Sequence, residues 1–168
     1  LLTLWEDMLP ALMEKNPSLV ALDGDLSYDT GTHLARHAFP ERYIQAGIAE
    51  QDMVSMAGTL ALSGFRPFVH SFATFLTMRA TEQIFNNATE YTPVVYLGFL
   101  AGLVPSAPGF SHQAVTDVGI MLSIPGMRVF EPSCRAELEW AVSEALSSDG
   151  PTYLRMGTLS PLESVSGD

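Results

Sequence analysis

The sequence holds a single cysteine, Cys134, in 168 residues. An internal disulfide is therefore excluded, and a reduced, cytoplasmic setting is the expectation. Positive charge is scarce: 8 Lys and Arg stand against 19 Asp and Glu, a net charge of −11. Nucleic acid and anionic membranes both call for a basic face, so neither is an expected partner. No apolar run reaches the ~18 residues of a membrane span. The opening LLTLWEDMLPALMEKNP carries acids and lacks the basic region of a signal peptide. It also lacks an initiator Met, as one piece of a longer protein would.

Phosphate-binding signatures are missing too. Neither G-x-G-x-x-G nor G-x-x-x-x-G-K-[ST] occurs. Asp23-Gly24-Asp25 has no Asn at the distance a magnesium-diphosphate motif uses, and Asn86 and Asn87 lie far beyond it. His33 and His37 are four residues apart, without the carboxylate a zinc protease places beside them. No metal site is expected from this chain alone.

What is present is apolar. Hydrophobic residues make up 47% and charged residues 16%, which excludes a disordered chain and suits one globular domain. Eight Met and nine Phe are many for this length. They imply either a large core or a wide surface buried against a partner.

The pattern alternates strands and helices. Residues 2–15 read as an amphipathic helix, and SLVALDGD as a buried strand with its exit loop. A turn-rich stretch over 26–41 holds a short helix near 33–38, followed by the strand RYIQAG. Residues 50–63 form a helix closed by Gly64, with Gly58 for close packing, and RPFVHSF is the next strand. One helix over 74–90 leads to the strand TPVVYLGF. A Gly-, Pro- and Ser-rich loop over 100–112, a helix over 113–123 and the strand MRVFEP come next. Ser133 is expected to cap a helix with the stripe Leu138, Ala141, Val142, Ala145 and Leu146, stopped at Asp149-Gly150-Pro151 before TYLRM. The expected fold is α/β, a largely parallel sheet covered by helices on both faces. Ligands of such sheets gather at the carboxyl ends of the strands. There the chain collects Asp25, Glu50, the aromatic stretch 72–78, the 100–112 loop and Arg155.

Singly, each polar residue there has a plain reading: Glu50 as a first-turn charge, His112 as a loop tie, Arg155 as the mate of a surface acid. Together they carry a resemblance. GIAEQDMVSMAGTLALSGFRPFVHSFATFLTMRATEQI, GFSHQAVTDVGIMLSIPGMRVFEPSCRAELEWAV and PTYLRMG occur in order. The chain resembles, over residues 5–157, the pyrimidine-binding domain of the transketolase family of thiamine-diphosphate enzymes.

The resemblance implies roles. Glu50 matches the glutamate that meets the ring nitrogen of the cofactor's aminopyrimidine and so promotes proton loss at its reactive carbon. Phe75 matches the residue that stacks on the pyrimidine, with Phe72 and Met78 beside it as further contacts or core. His112 matches the histidine facing the reacting carbon, and Gln113 follows it. Arg155 matches an arginine that grips substrate phosphate, and Asp25 stands at the end of the first strand, near the active site. Pro108 and Leu100 replace an Asp and a sugar-binding His, which favours a smaller 2-oxo acid or a specialised sugar as donor. The diphosphate-binding and C-terminal domains of the family are absent from this single-domain chain. The resemblance therefore implies the small subunit of a split transketolase-like enzyme, or an excised domain. A partner subunit would hold the diphosphate and Mg²⁺ in a dimer of heterodimers. A β subunit of a 2-oxo acid dehydrogenase, or a catalytically silent binding subunit, is the alternative.

Overall fold

The computed structural model describes residues 1–103 and 108–157, so part of the loop expected over 100–112 lies outside the described residues. The strands are β1 Leu19–Asp23, β2 Tyr43–Gln45, β3 Arg66–Phe72, β4 Val95–Ala101, β5 Arg128–Phe130 and β6 Thr152–Gly157. They pair in the order β2-β1-β3-β4-β6-β5, and every pairing is parallel. The helices are α1 Leu2–Lys15, α2 His33–Ala38, α3 Glu50–Leu62, α4 Ala73–Arg79, α5 Thr81–Thr89, α6 Asp117–Leu122 and α7 Arg135–Ser147. The expected doubly covered parallel sheet is what the chain forms.

Strand alternation sorts the core into two layers. Leu19, Ala21, Phe68, Leu97 and Leu154 face α1 and α7, where Trp5, Leu9 and Met13 meet Leu138, Ala141 and Val142. Val20, Leu22, Val69, Tyr96 and Tyr153 face α3, α5 and α6 through Met53, Val54, Ile84 and Met121. The chain leaves β1 toward one face and β3 toward the other. A crevice therefore opens outside their carboxyl ends, the usual place for a ligand in an open α/β sheet.

Three boundaries differ from expectation. The helix expected over 74–90 is two, broken at Ala80, whose φ of −108° leaves the helical range. Thr77 and Thr81 bond back through their hydroxyls to the carbonyls of Ala73 and Thr77 and bend the chain there. The helix expected over 113–123 starts only at Asp117, because Ala114 is held in bridges to Ala101 and Gly102. Ser133 is not the cap of α7. Cys134 holds that position, while Ser133 donates its N–H and its hydroxyl to Glu137 Oε2, both at 2.7 Å.

Gly58 brings α3 against α5. A Cβ there would stand 2.0 Å from Asn87 Oδ1, while Asn87 Nδ2 donates to the Val54 carbonyl and to Tyr96 Oη. On the opposite layer His70 is fully buried between Trp5 and Phe99, with ring centres 5.7 and 6.3 Å away. Its Nδ1 donates to the Leu22 carbonyl at 3.0 Å, and among the described residues its Nε2 has no partner. Burial lowers its pKa from 6.5 to about 4, against the opposing pull of the Asp23 carboxylate.

Two predictions follow from this packing. Gly58→Ala should lower the unfolding free energy by about 1–3 kcal/mol through overpacking, read as a lower urea midpoint. The unfolded chain protonates His70 from pH 6.5 downward, whereas the folded chain resists until about 4. Stability should therefore fall as pH drops through that window, and His70→Phe should show a smaller fall in the same urea titrations.

Candidate active site

The carboxyl end of the sheet brings four of the expected residues together. Gly47, with φ +75°, turns the chain out of β2, and Glu50 becomes the first residue of α3. A carboxylate there suits the positive end of a helix. Glu50 is nonetheless only 5% exposed. Among the described residues its side chain has one hydrogen-bond partner: Arg79 Nη1 donates to Oε1 at 2.9 Å. Arg79 is 47% exposed, and its backbone carbonyl is pinned by Gln51 Nε2 at 3.0 Å.

Arg79 also lies over Phe75, one helical turn earlier in α4, with Cζ 3.9 Å from the ring centre. Phe75 is edge-on to His112 at 5.0 Å and tilted against Phe72 at 5.4 Å. His112 lies 5.8 Å from Phe72, and its Nδ1 is 2.9 Å from Ser111 Oγ. Glu50, Arg79, Phe75, His112 and Phe72 thus form one continuous row. An open cleft of about 650 Å³ lies at its Glu50–Arg79 end, where Ile48, Gln51, Asp52 and Ser55 complete the lining with Ala49.

The remaining expected residues lie outside this row. Met78 is 61% exposed and accepts from Thr74 Oγ1 at 3.5 Å. Gln113 Nε2 donates to the Leu103 carbonyl. Asp25, with φ +68°, donates its N–H to Gln45 Oε1 at 2.9 Å. The same oxygen accepts from the Gly47 N–H at 3.1 Å, so Gln45 ties the loop after β1 to the turn before Glu50. Leu100, where the resemblance expected a sugar-binding His, has φ +53° beside a register shift in β4 and packs its side chain on the core.

Arg155 is already engaged. Its Nε donates to Asp117 Oδ2 at 2.8 Å, Nη1 to Glu131, and Nη2 to the Ala114 carbonyl at 3.4 Å. Tyr153 Oη donates to the same Asp117 oxygen at 2.9 Å. Burial, with the Asp117 charge added, pushes the Tyr153 pKa well above its ordinary value and keeps the hydroxyl a donor.

Arg79, Asp117, Glu131 and Gln45 were not singled out from sequence. Arg79 had a signal, its i, i+4 spacing from Phe75 within FLTMRATEQI. The other three pair across 20 residues or more and had none.

A buried carboxylate whose one partner among the described residues, Arg79, also covers a flat aromatic ring fits a flat heterocycle that offers an N–H donor at its edge. Among the described residues no cluster of three His, Cys, Asp or Glu could hold a metal ion. No helix of the described residues is long and apolar enough to cross a membrane.

This is an α/β domain with a buried carboxylate, an aromatic cluster and an open cleft at the carboxyl end of a parallel sheet. Residues 2–160 match the family model described as transketolase, pyrimidine binding domain, and the chain belongs to that family. It is 36% identical over 157 residues to a 6-deoxy-6-sulfo-D-fructose transketolase subunit of Clostridium sp. strain MSTE9, covering 89% of this chain and 47% of the relative. It is also 36% identical over 148 residues to a 1-deoxy-D-xylulose-5-phosphate synthase of Parasynechococcus marenigrum, covering 88% of this chain and 23% of that one. A solved structure described as a split gene transketolase, inactive beta4 tetramer, superposes with a TM-score of 0.82 at 35% identity, over 99% of this chain and 54% of that chain. The chain thus spans about half or less of these relatives.

Asp117 is 1% exposed and serves both Tyr153 and Arg155. Asp117→Ala would remove the shared acceptor of Tyr153 and Arg155, leaving the guanidinium to Glu131 and the buried hydroxyl unpaired, and should cost about 1–3 kcal/mol of unfolding free energy, measured by urea denaturation.

Proposed function

We propose that this chain is the pyrimidine-side half of a thiamine-diphosphate-dependent transferase of transketolase type, moving a two-carbon ketol or acyl unit. One observation carries the reading: a single guanidinium, that of Arg79, joins the buried Glu50 carboxylate to the face of Phe75, with His112 on that ring's edge. When bound, thiamine diphosphate supplies a carbon nucleophile that adds to the donor's carbonyl.

The chain's own residues do the rest. Glu50 holds a hydrogen bond to the ring nitrogen of the aminopyrimidine, and burial strengthens that bond by excluding water. Phe75 gives the ring a flat surface and fixes its plane. His112 faces the donor and moves a proton to or from its oxygen, with Ser111 orienting the imidazole. Asp25 and Gln113 line the approach for the donor. Arg155 reaches an anionic end of the donor only by releasing Glu131, its more exposed partner.

The diphosphate and Mg²⁺ are held by a separate diphosphate-binding domain on a partner subunit, in a dimer of heterodimers. The relative named as a transketolase subunit and the neighbour titled split gene transketolase support this division. The donor is a specialised sugar or a small 2-oxo acid. Leu100 presents no hydroxyl partner where an ordinary ketose phosphate would need one, and the relative named for a sulfonated deoxy sugar agrees in kind.

In the assembled complex, Glu50→Gln should leave assembly intact and cut thiamine-dependent turnover by at least ~100-fold. Assembly is read by size-exclusion chromatography and turnover by product formation. Wild-type turnover in that variant would overturn the role.

A further inference from the structure

The guanidinium of Arg79 makes two contacts that the reading above assigns to the cofactor. Nη1 donates to Glu50 Oε1 at 2.9 Å, and Cζ stands 3.9 Å over the Phe75 ring. A guanidinium is flat and cationic, with N–H donors along its edge. A protonated 4-aminopyrimidine has the same character: a flat N–C–N unit that stacks on an arene and donates to a carboxylate.

We propose that Arg79 is a placeholder for the aminopyrimidine, occupying the face of Phe75 and the acceptor of Glu50 until the cofactor's ring takes over both. The inference rests on the Glu50 and Phe75 assignments of the proposed function.

Three features support it. A carboxylate as buried as Glu50 is costly without a counter-charge, so the cofactor-free chain needs a cation there. At 3.9 Å the guanidinium is in van der Waals contact with Phe75, which leaves no room for a second flat group between them. Phe72 and His112 crowd the ring elsewhere. Arg79 is also built to leave. Its side chain is half-exposed, so the guanidinium can move into water while a cationic ring takes over the counter-charge at the buried carboxylate. The Gln51 bond holds the Arg79 backbone, so the side chain can swing while α4 stays in place.

The same residue therefore stabilises the free chain and opposes loading. A plain structural ion pair, kept when the cofactor binds, would not oppose loading. Titration of thiamine diphosphate with Mg²⁺ into the complex of the full chain and its partner separates the two roles. Arg79→Met should lower the cofactor's Kd by roughly three- to tenfold, the worth of the displaced pair and stack, while lowering the Tm of the cofactor-free complex. An unchanged or higher Kd would overturn the proposal. Arg79→Lys, which keeps the charge beside Glu50 but not the flat face, guards against loss of folding. Its Kd should fall between those of wild type and Arg79→Met, and a Kd above wild type would also overturn the proposal. Glu50→Gln in the same assays keeps the two failures apart. Impaired turnover there, beside an unchanged Kd in Arg79→Met, rejects the placeholder alone. Wild-type turnover in Glu50→Gln rejects both the site and the placeholder.

Discussion

A carboxylate held out of water and joined through one guanidinium to an aromatic ring is the constraint around which this end of the molecule is organised. Burying Glu50 is costly unless a donor meets it, and the fold meets that need in stages. The positive end of α3 lies under the side chain. Arg79 arrives from α4, and the packing of Gly58 against Asn87 holds α3 itself in place. Each stage comes from a different segment of the chain. The site is therefore a product of the tertiary fold.

Two further buried carboxylates anchor the loops around it. Asp23 accepts from the Leu26 N–H and from the hydroxyls of Thr30 and Thr32, which fixes the loop leaving β1. Asp117 accepts from Tyr153 and Arg155 and fixes the start of α6 behind the His112 segment. Asp23 accepts at both carboxylate oxygens, whereas Asp117 takes both donors on Oδ2 and, among the described residues, has no partner at Oδ1. The apolar layers build the sheet, and these acids shape its rim.

Much of the fold was legible in the sequence, because the strands are buried on both faces and read as continuous apolar runs such as VVYLGF. Helix breaks were harder. The bend at Ala80 arises from threonine hydroxyls competing for backbone carbonyls, and no periodicity encodes that competition. The site was legible where it followed motif order, as for Glu50, Phe75 and His112. Arg155 was visible as a residue but not as a member of a network, since Asp117 and Glu131 lie 38 and 24 residues before it. Arg79 sat in plain view within a quoted motif, and only its distance to Glu50 gave it a part.

Gln45 joins the loop after β1 to the turn before α3 through one oxygen that accepts from both Asp25 and Gly47. The two segments are thereby tied to each other at the rim by two hydrogen bonds. The exposed Asp25 and the carboxylate at the head of α3 are therefore separated by one glutamine amide and three residues of backbone. The placing of Glu50 thus depends on the shape of a loop from another strand, through the amide of a single glutamine.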